Sequence, residues 1–138
     1  MWTNARRRAA GYDVDTKCLL CLVAEDTLFF REAIKRGLHD LFKSLDFASD
    51  GEEAWQRLQK GSYDILITDL EMPRLNGFEL TTRIRADARL KNLPVISVSA
   101  RDTEDFQERA RVAGINRYET KLDRERLCLA ITDVLHPH

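Results

Sequence analysis

The chain has 138 residues, 43% of them hydrophobic and 33% charged, with a formal net charge of −1. That is room for one domain with a real core and too little for two comfortable ones. The charge balance argues against nucleic acid, no apolar stretch is long enough to cross a bilayer, and three cysteines in a chain without an export signal read as reduced thiols in a cytoplasm.

Residues 1–16 lack hydrophobic periodicity and read as a flexible tail or linker. Arg6-Arg7-Arg8 has no apolar segment beside it, so it is not a secretory signal. A linker implies an upstream domain. Residues 17–138 carry the fold. CLLCLVA, residues 18–24, is a continuous apolar run that suits a central parallel strand buried on both faces. Cys18 and Cys21 form a C-x-x-C pattern. Three apart on a strand, they point to opposite faces, and no second cysteine pair or histidine cluster completes a zinc site. Both read as small core residues, and Cys128 falls in a distant helical pattern.

The strand ends in the adjacent acids Glu25 and Asp26, which repel each other unless a positive charge sits between them. Thr27 caps a helix running to Leu41, with Leu28, Ile34, Leu38 and Leu41 as its apolar stripe; Phe29 and Phe30 add aromatic bulk near the acids. A weak strand follows at 43–47, with Leu45 and Phe47 inward, then the turn Ser49-Asp50-Gly51. Residues 52–60 form a helix with Trp55 and Leu58 on one face, closed by Gly61. The central strand, Ile65 to Thr68, delivers Asp69 to its end. The turn Met72-Pro73 and Asn76-Gly77 leads into a helix over 76–87 with Phe78, Leu80 (or Thr81) and Ile84 facing the sheet. VISVSA, 95–100, is a strand ending in Ser99-Ala100. Residues 103–114 form a helix closed by Gly114. A short strand at 116–120 delivers Lys121, and 123–135 is a last amphipathic helix with Leu127, Ala130, Ile131 and Leu135 inward.

Five strand-helix alternations predict a parallel sheet covered by helices on both faces. Right-handed crossovers put every strand's C-terminus on one rim. Glu25, Asp26, Asp69, Ser99 and Lys121 collect there, at the edge where open α/β sheets bind ligands. Three carboxylates make an oxygen-only site suited to Mg²⁺, with Mn²⁺ as the alternative ion. Lys121 reaches a phosphoryl oxygen and Ser99 supplies a hydroxyl. Asp69 is then a carboxylate nucleophile that forms an aspartyl phosphate.

These residues resemble the receiver domain of bacterial response regulators, from about Lys17 to Leu135. Glu25-Asp26 looks like the paired acids after the first strand. Asp69 in TDLEMPRLNGFEL looks like the phosphoacceptor, Ser99-Ala100 like the hydroxyl-small pair, Tyr118 like the aromatic switch and Lys121 like the lysine after the fifth strand. The resemblance implies an α/β, flavodoxin-like (CheY-like), doubly wound five-stranded parallel sheet of order 2-1-3-4-5 with five helices. It implies Mg²⁺ held by Asp26, Asp69, the backbone carbonyl of Glu71 and, mostly through water, Glu25. It implies transfer of a phosphoryl group from a histidine kinase or phosphotransfer domain onto Asp69. Ser99 and Tyr118 would then remodel a protein-output face built from the fourth helix, fifth strand and fifth helix. Such a domain is a signalling phosphoacceptor, not an enzyme with an external substrate.

Two departures stand out. Glu25 replaces the commoner aspartate, and Leu122 follows Lys121 where proline is usual. TKLDRERL and DTLFFREAIK look like receivers of chemotaxis proteins, including those fused to chemotaxis histidine kinases or scaffold domains. Glu71 and Arg101, two residues beyond Asp69 and Ser99, are expected to pair over the pocket and hinder attacking water. Competing readings are a pseudo-receiver that serves only as an interaction surface, an aspartate-nucleophile phosphohydrolase, which would need a substrate cap that no insertion supplies, and a nucleotide or flavin module, for which the glycine-rich loop is missing after the first strand. No DNA-binding segment is expected after the last helix.

Overall fold

The structure is a computed structural model that describes residues 16–101, 103–121 and 123–135. The expected tail 1–16, apart from Thr16, and Leu122 lie outside the described residues. Five strands, β1 (Leu20–Ala24), β2 (Ser44–Ala48), β3 (Ile65–Asp69), β4 (Val95–Ser99) and β5 (Arg117–Thr120), form one sheet. All neighbours pair in parallel, in the order β2-β1-β3-β4-β5. Five helices follow the strands: α1 (Leu28–Leu38), α2 (Gly51–Lys60), α3 (Gly77–Ala86), α4 (Glu104–Ala113) and α5 (Arg124–Leu135).

The inner strands read as apolar runs because both faces are covered. Side chains alternate between the faces. Leu22 and Leu66 join Leu58 of α2, Leu80 and Ile84 of α3 and Ala110 of α4 in one core layer. Val23, Ile65, Ile67, Ile96 and Val98 join Leu38 of α1 and Leu127, Ala130 and Ile131 of α5 in the other. Ile65, Leu66 and Ile67 are wholly inaccessible to solvent. Burying each such side chain contributes about 1.5–3 kcal/mol, so the strand that carries Asp69 is firmly anchored.

Four expectations need correction. Cys18 lies in a 3-10 turn (Thr16–Cys18) ahead of β1 and is exposed, whereas Cys21 is core and its thiol is pushed up by burial and by Asp46. α1 ends at Leu38; Leu41 is buried but follows the helix. Leu28, the first residue of α1, is 69% exposed rather than inward. Thr27 occupies the N-cap position but makes no side-chain cap bond; its own N–H donates to the Glu25 carboxylate at 3.1 Å.

The turns hold as read. Asp50 caps α2 through the Glu53 N–H at 2.8 Å, and that bond holds its carboxyl below the usual carboxylate range. Asn76 and Glu79 form a reciprocal capping box at the start of α3. Gly77 is placed by sterics: a Cβ there would lie 2.3 Å from the backbone oxygen of Asp69. The helix after the turn can therefore close directly onto the end of β3, and its Gly77 N–H bonds the Leu70 carbonyl at 3.0 Å.

Candidate functional site

The sheet registers bring the polar residues together. Ala24, the residue before Glu25, pairs with Thr68, the residue before Asp69; Asp69 pairs with Val98, and Ser99 with Thr120. Glu25, Asp69, Ser99 and Lys121 therefore stand side by side on one rim. Glu25 is fully buried, Asp69 is 4% exposed and Ser99 1% exposed, while Asp26 is open to solvent.

Lys121 is the counter-charge. Its Nζ lies 2.9 Å from Glu25 Oε1 and 3.3 Å from Asp69 Oδ2. Glu25 Oε1 is buried and accepts no hydrogen bond of proper direction, so the contact with Lys121 is a meeting of charges. The other Asp69 oxygen, Oδ1, accepts from the Leu70 N–H at 2.8 Å and more weakly from the Glu71 N–H at 3.4 Å. One carboxylate oxygen is thus tied to backbone, while the other faces the ammonium.

The Asp69 carboxyl is pushed up to about 6. Burial is the largest cause and the Glu25 charge the next; Lys121 and the Glu71 N–H pull the other way and are outweighed. A cation between the acids would reverse this balance. Glu25, Asp26 and Asp69 each bring an oxygen within 4.8 Å of the other two. An all-oxygen set with one solvent-facing member fits Mg²⁺, which keeps several waters and takes one or two protein carboxylates.

The residues beyond β4 complete the rim. Ser99 Oγ accepts from the Arg101 N–H at 3.0 Å. The half-buried Tyr118 donates its hydroxyl to the Arg101 carbonyl. Glu71 and Arg101 pair, as expected, with Oε1 and Nε 2.9 Å apart.

The sequence matches the response regulator receiver domain over residues 21–132. It is 41% identical over 101 residues to the chemotaxis protein CheY of Pseudomonas aeruginosa, spanning 72% of this chain and 82% of that one. The chain belongs to the response regulator receiver domain family. Its receiver sequence is also 37% identical over 106 residues to CheY-3 of Vibrio cholerae, covering 76% of this chain and 82% of that one. The receiver fold superposes on the chemotaxis response regulator CheY4 of Vibrio cholerae with a TM-score of 0.78 at 24% identity, over 86% of this chain and 99% of that one. A receiver domain from a sensor histidine kinase of Pseudomonas aeruginosa PAO1 matches with a TM-score of 0.77 at 25% identity, over 86% of this chain and 98% of that one. That neighbour holds a magnesium ion in its active site cleft. Receiver domains are signalling phosphoacceptors of two-component systems, and this one has the acidic cluster that such an ion requires. Among the described residues, no helix is long and apolar enough to cross a membrane.

Two features of this receiver were not read from the sequence. By sequence Phe30 is only aromatic bulk near the acids, yet its ring centroid lies 4.1 Å from Lys121 Nζ. The Arg101 backbone serves both Ser99 and Tyr118, and a side-chain code carries no signal for that.

Proposed function

We propose that Asp69 is the phosphoacceptor of this receiver and that a partner phosphohistidine, on a histidine kinase or phosphotransfer domain, supplies the phosphoryl group. The carrying observation is the pair of Asp69 oxygens, one fixed by the Leu70 N–H at 2.8 Å and one facing Lys121 at 3.3 Å. In the transfer, an Asp69 oxygen attacks phosphorus and a P–O bond forms. The phosphorus–nitrogen bond breaks, and its electron pair stays on the imidazole ring. Lys121 neutralises charge on the arriving phosphoryl oxygens, and Ser99 donates a hydrogen bond once its hydroxyl leaves the Arg101 N–H. Asp26, Asp69, the Glu71 carbonyl and, through water, Glu25 would hold Mg²⁺ (or Mn²⁺). Bound there, the ion supplies charge neutralisation and a template for the phosphoryl oxygens.

The output follows from the same rim. Drawing Ser99 toward the phosphoryl group disturbs the loop whose Arg101 carbonyl holds the Tyr118 hydroxyl. Tyr118 is then free to turn inward, which changes the face of α4, β5 and α5 seen by a protein partner. The chemotaxis relatives support a chemotaxis-type pathway in the cytoplasm, and the chain would act on no substrate besides its own aspartyl phosphate. The test incubates the protein with Mg²⁺ and a small phosphodonor and reads the intact mass. One added phosphoryl group that is lost in Asp69→Asn supports the reading. No adduct at any Mg²⁺ concentration overturns it in favour of a pseudo-receiver, and steady turnover of small phosphomonoesters overturns it in favour of a phosphohydrolase.

A further inference from the structure

We propose that Phe30 is a positioning residue for Lys121, and that its ring face keeps the ammonium poised over Asp69 during phosphoryl transfer. The inference rests on Asp69 being the phosphoacceptor. Three groups surround Lys121 Nζ: Glu25 Oε1 at 2.9 Å, Asp69 Oδ2 at 3.3 Å and the Phe30 ring centroid at 4.1 Å. The lysine side chain is only 9% exposed. A ring quadrupole attracts a cation at this separation, and more strongly where water is excluded.

The carboxylates alone do not centre the ammonium. It already lies nearer Glu25, and Glu25 keeps its charge after Asp69 is esterified. A lysine stem is long and flexible, so a bare carboxylate pair would let it lean away from the reacting oxygen. Phe30 and Lys121 line a cavity of about 130 Å³ between α1 and α5, and Asp123 lines it too. Removing the ring opens a path for the ammonium toward that cavity. The ring favours neither carboxylate, so it holds the charge between them.

The ring is itself held. Ile34 and Leu38, on the same side of α1, pack into the core layer that contains Leu127. Phe29 meets Phe30 edge to face, with centroids 5.3 Å apart and planes at 82°. Phe29 is itself 62% exposed. An aliphatic side chain at position 30 would fill much of the same volume without a cation-binding face.

The test compares wild type, Phe30→Leu and Phe30→Tyr, each also in a Lys121→Ala background. The first measurement is the rate of adduct formation with Mg²⁺ and a small phosphodonor, by intact mass. The second is the proton shift of the Lys121 ε-methylene, which a ring face moves upfield. Phe30→Leu is expected to slow adduct formation about 3- to 10-fold and to abolish the upfield shift, while Phe30→Tyr stays within about 2-fold and keeps it. In the Lys121→Ala background, Phe30→Leu should cause no further slowing. A Phe30→Leu rate within 2-fold of wild type overturns the inference, as does equal slowing with and without the lysine, which would mark a structural role. If the wild type accepts no phosphoryl group, the reading of Asp69 fails by itself. The methylene shift still reports on the contact, and a shift unmoved by Phe30→Leu overturns the positioning role.

Discussion

Replacing Asp69 with asparagine should make the metal-free domain more stable at pH 7.5. The Asp69 carboxyl is raised from 3.8 to about 6, by burial first and the Glu25 charge second. The folded state thus holds this proton more tightly than the unfolded chain does. Keeping the group ionised above pH 6 costs stability, and the cost disappears as pH falls from 6 toward 3.8. At 1.36 kcal/mol per pKa unit the full shift is worth about 3 kcal/mol, or roughly 2 after allowing for water at the open mouth of the site. Asparagine removes the charge yet keeps an oxygen to accept from the Leu70 N–H, so the bond at 2.8 Å survives. It gives up the Lys121 attraction, whose effect is already counted in the raised value. The variant should gain about 1–2 kcal/mol at pH 7.5, which is a rise of roughly 2–8 °C in Tm for a domain of this size. Urea unfolding in EDTA at pH 7.5, 6.0 and 4.5 checks it, with the gap between variant and wild type closing at pH 4.5. A variant no more stable than wild type at pH 7.5, or a gap independent of pH, would refute the reasoning.

Lys121→Ala leaves Glu25 and Asp69 facing each other without a counter-ion. It should cost about 2–4 kcal/mol at pH 7.5 and less at pH 5, measured by urea unfolding; a loss equal at both pH values counts against it. Asp26 is exposed, so Asp26→Asn should change metal-free stability by no more than about 0.5 kcal/mol. It should nevertheless abolish the Tm increase that saturating Mg²⁺ gives the wild type, an increase expected from ligand linkage and checked by calorimetry. Gly77→Ala forces a methyl to 2.3 Å from the Asp69 carbonyl and should cost about 1–3 kcal/mol; unchanged thermal unfolding would show that α3 slides freely. Replacing Glu71 and Arg101 together by alanine should leave stability within about 1 kcal/mol, as for an exposed pair, but shorten the aspartyl phosphate lifetime several-fold. A lifetime equal to wild type, timed by phosphate release, removes that pair from any role in shielding the bond.

The fold was legible because its strongest signals are local. Runs such as Ile65-Leu66-Ile67 mark strands covered on both faces, and those of β1, β3 and β4 end in the acids or hydroxyl that the rim needs. β2, whose pattern is weak, falls where that pattern predicts, one residue displaced at each end. What escaped the sequence depends on distances between elements. Leu28 scores as an apolar stripe residue by spacing, but spacing does not say that the first residue of α1 stays exposed. Cys18 looked like the first residue of a strand, and only the 3-10 turn ahead of Leu20 removes it from the core. The Phe30–Lys121 contact joins residues 91 positions apart and depends on how α1 packs beside the start of α5.

One departure from the family pattern now has a physical account. A glutamate stands at position 25, with one more methylene than the commoner aspartate. Its Oε2 turns back to the Thr27 N–H at 3.1 Å, serving the start of α1, while Oε1 reaches Lys121 at 2.9 Å. The carboxylate thus bridges the first turn of α1 and the end of β5, two points that the paired strands do not join directly. Both contacts fit Glu25 as the buried member of the acid pair and Asp26 as the open one. With both Glu25 oxygens engaged inside, an incoming cation meets Asp26 and Asp69 first. A direct bond from Glu25 to a metal would require it to release either the Thr27 N–H or the lysine.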